Sequence, residues 1–195
     1  MKPIAESCLR NQQPIAEVLS DILMHVNAVL ELGSGTGQHG VYLAQRFPHL
    51  KWQPSDLKEC LPGMTLWWHE AGLENLCKPI ELDVTAGIWP ANSHYDAVFT
   101  ANTIHFVSGR IAEALLIGAA KTLQPGGVLC IYGPFNENGC YSGEGNRQFD
   151  QWLKARDRES GIKDIEWVEG LLGLHGLVLK SRHQMPANNL MLVFN

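Results

Sequence analysis

The chain lacks the positive charge that a nucleic-acid binder needs. It carries 15 Lys and Arg against 20 Asp and Glu, a formal net charge of -5, and its pI is about 5.9. A domain that holds nucleic acid shows a basic stripe and a pI above about 9. The one basic stretch, Lys154, Arg156, Arg158 and Lys163, is interleaved with Asp157, Glu159 and Asp164 and reads as a solvated helix face. Cysteine is scarce as well. There are 5, an odd number, and no two stand in a C-x-x-C spacing, which argues against a disulfide framework and a zinc site. Reduced thiols fit a cytoplasmic protein, and Cys130, within an apolar run, reads as a buried small hydrophobe. No apolar run reaches the roughly 18 residues of a membrane span, and the stretch from Met1 to Glu6 has no signal core. Repeats, low-complexity segments and linkers are also missing, so a single domain over residues 1–195 is expected. With 45% hydrophobic and 18% charged residues, that domain can build a core without staples.

What is present alternates. The spacing predicts a helix over Ile15–Val26, then a buried strand Ala28–Leu32, a helix Gln38–Phe47 and a strand Leu50–Pro54. Lys58–Ala71 is helical in part, interrupted or restarted at Pro62-Gly63. Further strands are expected at Pro79–Val84, Tyr95–Ala101 and Val128–Tyr132, with a helix Arg110–Leu123 before the last of these. Helices Asn146–Glu159 and Ile165–Leu174 follow, then strands Leu177–His183 and Asn189–Phe194, which have no helix between them. Such a chain is α/β. It builds a mostly parallel sheet covered by helices on both faces, with a terminal antiparallel hairpin at one edge.

The informative run is Val29-Leu30-Glu31-Leu32-Gly33-Ser34-Gly35-Thr36-Gly37-Gln38-His39-Gly40. A buried strand feeds a glycine turn that opens a helix, the place where open α/β sheets bind ligands. A dinucleotide turn reads G-x-G-x-x-G/A, but the sixth position from Gly33 is Gln38. Phosphates also favour a helix N-terminus, and Glu31 opposes an anion there. A cofactor bearing a sulfonium and an ammonium suits that carboxylate better.

The E-x-G-x-G-x-G pattern resembles motif I of the class I, Rossmann-like, S-adenosylmethionine-dependent methyltransferases. Further segments resemble one uncharacterised group, the methyltransferase-like protein twenty-six type, long filed as a domain of unknown function. They are Arg10-Asn11 before Pro14-Ile15, Trp52-Gln53-Pro54-Ser55-Asp56, Ala101-Asn102-Thr103-Ile104-His105, Tyr132-Gly133-Pro134-Phe135 and Met185-Pro186-Ala187-Asn188-Asn189-Leu190. The resemblance implies a seven-stranded sheet in the order 3-2-1-4-5-7-6 and S-adenosylmethionine as cofactor. It implies that Glu31, Gly33, Ser34, Gly35, Thr36 and Gly37 cradle the methionine end. Asp56, with Leu57 beside it, would hold the ribose hydroxyls, Asp83 and the Val84 N–H the adenine, and Ala101 and Asn102 would lie under the sulfonium.

Methyl transfer from a sulfonium is an in-line displacement with a neutral leaving group, so alignment supplies much of the catalysis. His105 and Asn102 are the candidate catalytic residues, His105 as a base whose imidazole titrates near ~6.5. Arg10 is a candidate partner for the cofactor carboxylate. Asn146, Asn188 and Asn189 are candidate amide contacts to substrate, and Tyr132 and Phe135 candidate walls of the acceptor pocket. Each has a plainer reading as a cap or core residue, and His39 is a weaker candidate. The expected acceptor is a small molecule, with no metal, nucleic-acid or membrane partner. A non-catalytic binding protein and a nicotinamide-dependent oxidoreductase are the alternatives, the latter disfavoured by Gln38.

Overall fold

Strand Ala28–Leu32 is the axis of the molecule, because its side chains are apolar on one side and apolar but for Glu31 on the other, and both sides are covered. The structure, a computed structural model, describes residues 2–87, 89–90 and 95–195; Met1 of the N-terminal stretch read above lies outside them. In chain order the first half comprises α1 (Glu6–Ile22), β1 (Ala28–Leu32), α2 (Gln38–Arg46), β2 (Lys51–Asp56), α3 (Leu61–Ala71), β3 (Ile80–Glu81) and β4 (Tyr95–Ala101). The second half comprises α4 (Gly109–Thr122), β5 (Leu123–Glu137), β6 (Cys140–Tyr141), α5 (Glu144–Arg156), β7 (Lys163–Asp164), α6 (Ile165–Gly173), β8 (Leu179–Met185), a 3-10 turn Pro186–Asn188, and β9 (Asn189–Phe194).

The main sheet runs β3-β2-β1-β4-β5-β9-β8. Its first five strands are parallel, and β9 and β8 pair antiparallel at the end. Because side chains alternate along each strand, the sheet has two apolar faces. Val29, Phe99, Cys130 and Met191 pack with Ile15 and Leu19 of α1 and Leu43 of α2. Leu30, Leu32, Val98 and Ile131 pack with Leu115 and Leu116 of α4 and Val168 of α6. The carboxyl ends of β1, β2, β4 and β5 therefore converge on one rim, where the glycine turn sits.

Several boundaries differ from the sequence reading for identifiable reasons. Helix α1 begins nine residues before Ile15 and runs through Pro14. A proline there has no N–H for the Arg10 carbonyl, four residues back, yet burial of Cys8, Asn11, Ile15 and Leu19 on one face holds the helix together. Strand β2 extends to Asp56, so this carboxylate is the last residue of the strand. The expected third strand, Pro79–Val84, is only Ile80–Glu81. It stops because Asp83 Oδ1 accepts the Thr85 N–H at 2.8 Å and the Thr85 hydroxyl at 2.6 Å, turning the chain. Pro62-Gly63 restarts a helix, with the proline in the first turn of α3. Strand β5 runs on past Tyr132 to Glu137, where β6 and β7 pair with its tail.

Candidate functional site

The glycine turn is fixed from below by the end of β2. Ser34 N–H donates to the Ser55 carbonyl at 3.0 Å, Ser55 N–H to the Ser34 hydroxyl oxygen at 3.1 Å, and the Ser55 hydroxyl to the Glu31 carbonyl at 2.6 Å. Asp56 closes the clamp: its Oδ2 accepts the Gly35 N–H at 2.6 Å and its Oδ1 the Leu57 N–H at 2.7 Å. Gly33, Gly35 and Gly37 have φ of 66°, 58° and 85°, the left-handed region that favours glycine. A Cβ on Gly33 would lie 2.6 Å from Thr103, whereas one on Gly35 would meet nothing within 4 Å. The turn is thus packed at Gly33 and open above Gly35.

Glu31 lies beneath this turn and is only 1% exposed. Its Oε2 accepts the Trp52 Nε1–H at 2.8 Å, and a Cβ on Gly40 would approach that oxygen to 2.9 Å. Burial pushes its pKa up to about 7, against the Trp52 and Ser34 hydrogen bonds, with the Asp56 charge adding to the rise. Thr36 donates its hydroxyl to Gln38 Oε1 at 3.0 Å, and the same oxygen accepts the Ala5 N–H at 2.5 Å, so the start of α1 is seated on the turn.

His39 is not part of an open site. It is buried, with Nε2 2.7 Å from Asn11 Oδ1 and Nδ1 3.7 Å from Cys8 Sγ. Burial lowers its pKa to about 4, so the ring is neutral, donating to Asn11 and accepting from the thiol. Tyr132 joins this network through Asn11 and Asn189.

On the same rim is a cavity of about 630 Å³. Three groups of residues surround it. Ser7, Arg10 and Asn11 come from one face of α1, with the i, i+3, i+4 spacing of neighbours on a helix. Asn102, His105 and Phe106 follow β4, and Tyr132 and Pro134 come from β5. Asn146 and Phe149 of α5 and Asn188 and Asn189 complete the wall. Asn102, Ala187 and Asn188 hold φ of 54°, 59° and 57°. Three non-glycine residues in this region around one cavity mark strain held in place by the surroundings.

His105 is 1% exposed and edges two rings, Phe106 at 4.7 Å and Phe149 at 5.4 Å between centroids. Its Nδ1 is buried without a hydrogen-bond partner in the protein, facing Gly133. Burial, with Lys163 nearby, lowers its pKa to about 3.

The residues singled out in the sequence therefore fall into three places. Glu31, Ser34, Thr36, Asp56, Leu57 and the glycines surround the turn. His105, Asn102, Tyr132, Asn146, Asn188, Asn189 and Arg10 line the cavity. Phe135 belongs to neither. It is buried against Ile131 and Ile165 in the opposite core, because three residues from Tyr132 along a strand is the other face. Asp83 spends one oxygen on Thr85, beside the partly buried Val84. Asn11, Phe149 and Pro134 were not picked out as site residues. For Phe149 the available signal was its i, i+3 spacing with Trp152 on one face of α5.

Residues 2–195 match the family described as protein of unknown function (DUF938), and the chain belongs to that family. Its fold is that of the class I methyltransferases in solved structures. An O-methyltransferase family protein from Burkholderia thailandensis superposes with a TM-score of 0.81 at 18% identity, over 97% of this chain and 57% of its own. Mitomycin 7-O-methyltransferase gives 0.81 at 13% identity, over 95% and 53%. Human N-acetylserotonin methyltransferase, solved in complex with S-adenosylmethionine, gives 0.80 at 15% identity, over 97% and 52%. The chain spans little more than half the length of these proteins. Among the described residues no helix is long and apolar enough to cross a membrane.

Proposed function

We propose that the chain is a class I methyltransferase that binds S-adenosylmethionine at the glycine turn and methylates a small molecule, at oxygen, in the adjoining cavity. The observation that carries the reading is the pairing of Asp56 with the Gly35 N–H under an open turn. A dinucleotide phosphate would need that N–H, which a carboxylate already holds, and it would meet the charges of Asp56 and Glu31. A cationic cofactor meets the same charges favourably. The donor set suits it: two carboxylates near the turn, and Leu57, 42% exposed, as an apolar surface beside Asp56. Asp83 and Val84 are assigned to the adenine, and Ala101 and Asn102 to the floor under the sulfonium.

Held at the glycine turn, Asp56 and Asp83, the cofactor would supply an electrophilic methyl group on a positively charged sulfur, a leaving group that departs as a neutral thioether. The chain's own work is to align the acceptor against the methyl group and to hold its hydroxyl. A ring with a pKa of about 3 is unprotonated near neutral pH. His105 can therefore accept a hydrogen bond from the acceptor hydroxyl and orient it, while the proton passes to solvent as the oxygen gains the methyl, because so weakly basic a ring does not hold it. Asn102 orients the acceptor at the end of β4. We read residues 1–195 as one domain, of the methyltransferase-like protein twenty-six type, working in the cytoplasm.

Calorimetry with S-adenosylmethionine tests the donor half. Asp56→Ala and Asp83→Ala should each weaken binding at least tenfold, about 1.4 kcal/mol; unchanged affinity in both would remove the site assignment. Transfer of labelled methyl to a metabolite extract tests the acceptor half. Transfer to an extract component is the expected result; binding without transfer would instead support the reading as a cofactor-binding protein.

A further inference from the structure

The wall of the cavity is chemically lopsided. Among the described residues that line it there is no Asp or Glu, and Arg10 is the one side chain that carries charge at neutral pH. Arg147, Lys154 and Arg182 each pair with a carboxylate, but Arg10 takes part in no salt bridge among the described residues. A guanidinium in such a wall, with no acidic neighbour lining it, is available to an anionic ligand, and its planar fork matches a carboxylate.

The second feature is aromatic. Phe106 and Phe149 meet at 6.1 Å between centroids beside the buried His105, and Trp152 stacks on Phe149 at 5.8 Å with planes 16° apart. Phe106 is 43% exposed and Trp152 48%, so ring surface runs from His105 outward to solvent. Arg156 covers Trp152 from one side, 4.7 Å from its ring centroid. Ring surfaces of this kind accept another ring by offset or edge-to-face contact. The remaining polar wall, Asn102, Asn146, Asn188 and Asn189, is uncharged and offers amide donors and acceptors.

We infer that the acceptor is a flat aromatic molecule carrying both a hydroxyl and a carboxylate, with its ring against Phe106 and Phe149 and its carboxylate against Arg10. Arg10 is then a specificity residue for the acceptor and not a cofactor contact. The ring and the anion rest on the cavity alone. The hydroxyl, whose proton passes to solvent as its oxygen gains the methyl, rests on the methyl-transfer reading.

The experiment uses 3-hydroxy-2-naphthoate, which is fluorescent, and its neutral analogue 3-hydroxymethyl-2-naphthol, each titrated with the full chain. The naphthoate should bind about threefold to fivefold tighter, the size expected for a partly exposed ion pair. That preference should shrink between about 0.05 and about 0.5 M salt and vanish in Arg10→Gln. Phe106→Ala should weaken both probes alike. Equal binding of the two probes, a preference that survives Arg10→Gln, or no binding of either at millimolar concentration would each overturn the proposal. Calorimetry with S-adenosylmethionine on Arg10→Gln should match the unmodified chain, and a tenfold loss there would move Arg10 to the cofactor and overturn it too. If the unmodified chain fails to bind S-adenosylmethionine yet keeps the Arg10-dependent preference, the methyl-transfer reading falls and the ring-and-anion assignment stands.

Discussion

Glu31→Gln probes the buried carboxylate under the glycine turn. The substitution keeps an acceptor for Trp52 and removes only the charge. In the unfolded chain a glutamate titrates near its ordinary 4.5, whereas burial raises Glu31 to about 7 in the fold. Between those values the unfolded chain gives up the proton and the folded one keeps it. The stability due to Glu31 is therefore fully present below pH 4.5 and is lost as the pH rises to about 7. At about 1.4 kcal/mol per pH unit, the interval from 4.5 to about 7 comes to about 3 kcal/mol. Urea unfolding of both proteins across pH 4.5–8 measures it as a difference, so the histidines, common to both, cancel. Glu31→Gln should gain on the unmodified chain by about 3 kcal/mol over that range and then level off. Binding of S-adenosylmethionine should show the reverse. The ratio of unmodified to variant affinity should grow as the pH rises toward 7, because only the ionised carboxylate attracts a cation. A stability difference that stays flat from pH 5 to 8 would refute the reasoning, since Glu31 would then titrate like an exposed glutamate.

Other substitutions test other parts. Gly35→Ala should cost only the left-handed backbone, about 1–2 kcal/mol, whereas Gly33→Ala adds a clash with Thr103 and should cost visibly more; equal losses in thermal unfolding would contradict the packing described at the turn. Asp150, buried on α5, accepts from Tyr141, Lys154 and the Ile162 N–H at 2.7, 2.6 and 2.7 Å. Its replacement by Ala should cost about 1–3 kcal/mol, since the Ile162 N–H is left buried and unpaired, and urea midpoints would show this. His39 titrates at about 4 against an ordinary 6.5. Its contribution is present above pH 6.5 and is lost as the pH falls through about 4, so His39→Gln should flatten the acid limb of the stability curve. His105→Ala should lower methyl transfer with S-adenosylmethionine affinity unchanged, and parallel loss of both would make His105 a structural residue.

The fold was legible where a local pattern settles structure alone. β1, β4 and β9 keep their expected limits, because apolar residues bounded by turn formers fit little but a buried strand. The glycine turn was legible for the same reason, and it brought Glu31 and Asp56 with it. Legibility failed where distant partners decide. Nothing local in Cys140–Tyr141 or Lys163–Asp164 announces a strand; each exists because the tail of β5 offers unpaired backbone groups. Helix α1 crosses Pro14 because its buried face outweighs one missing hydrogen bond. Phe135 is different, since its distance from Tyr132 already placed the two on opposite faces. The cavity was legible in parts: its Asn and His members stood out by chemistry, but that Arg10 faces them depends on how α1 packs.

Helix α1 is a shared wall. Its first residue contacts run to the glycine turn, through Ala5 and Gln38, while Ser7, Arg10 and Asn11 border the cavity on the next turns. On the proposed function, donor and acceptor recognition would thus share one short segment of chain. Deleting that segment would abolish both together and say nothing about either. Only single-residue changes, Gln38 on one side and Arg10 on the other, can take the two apart.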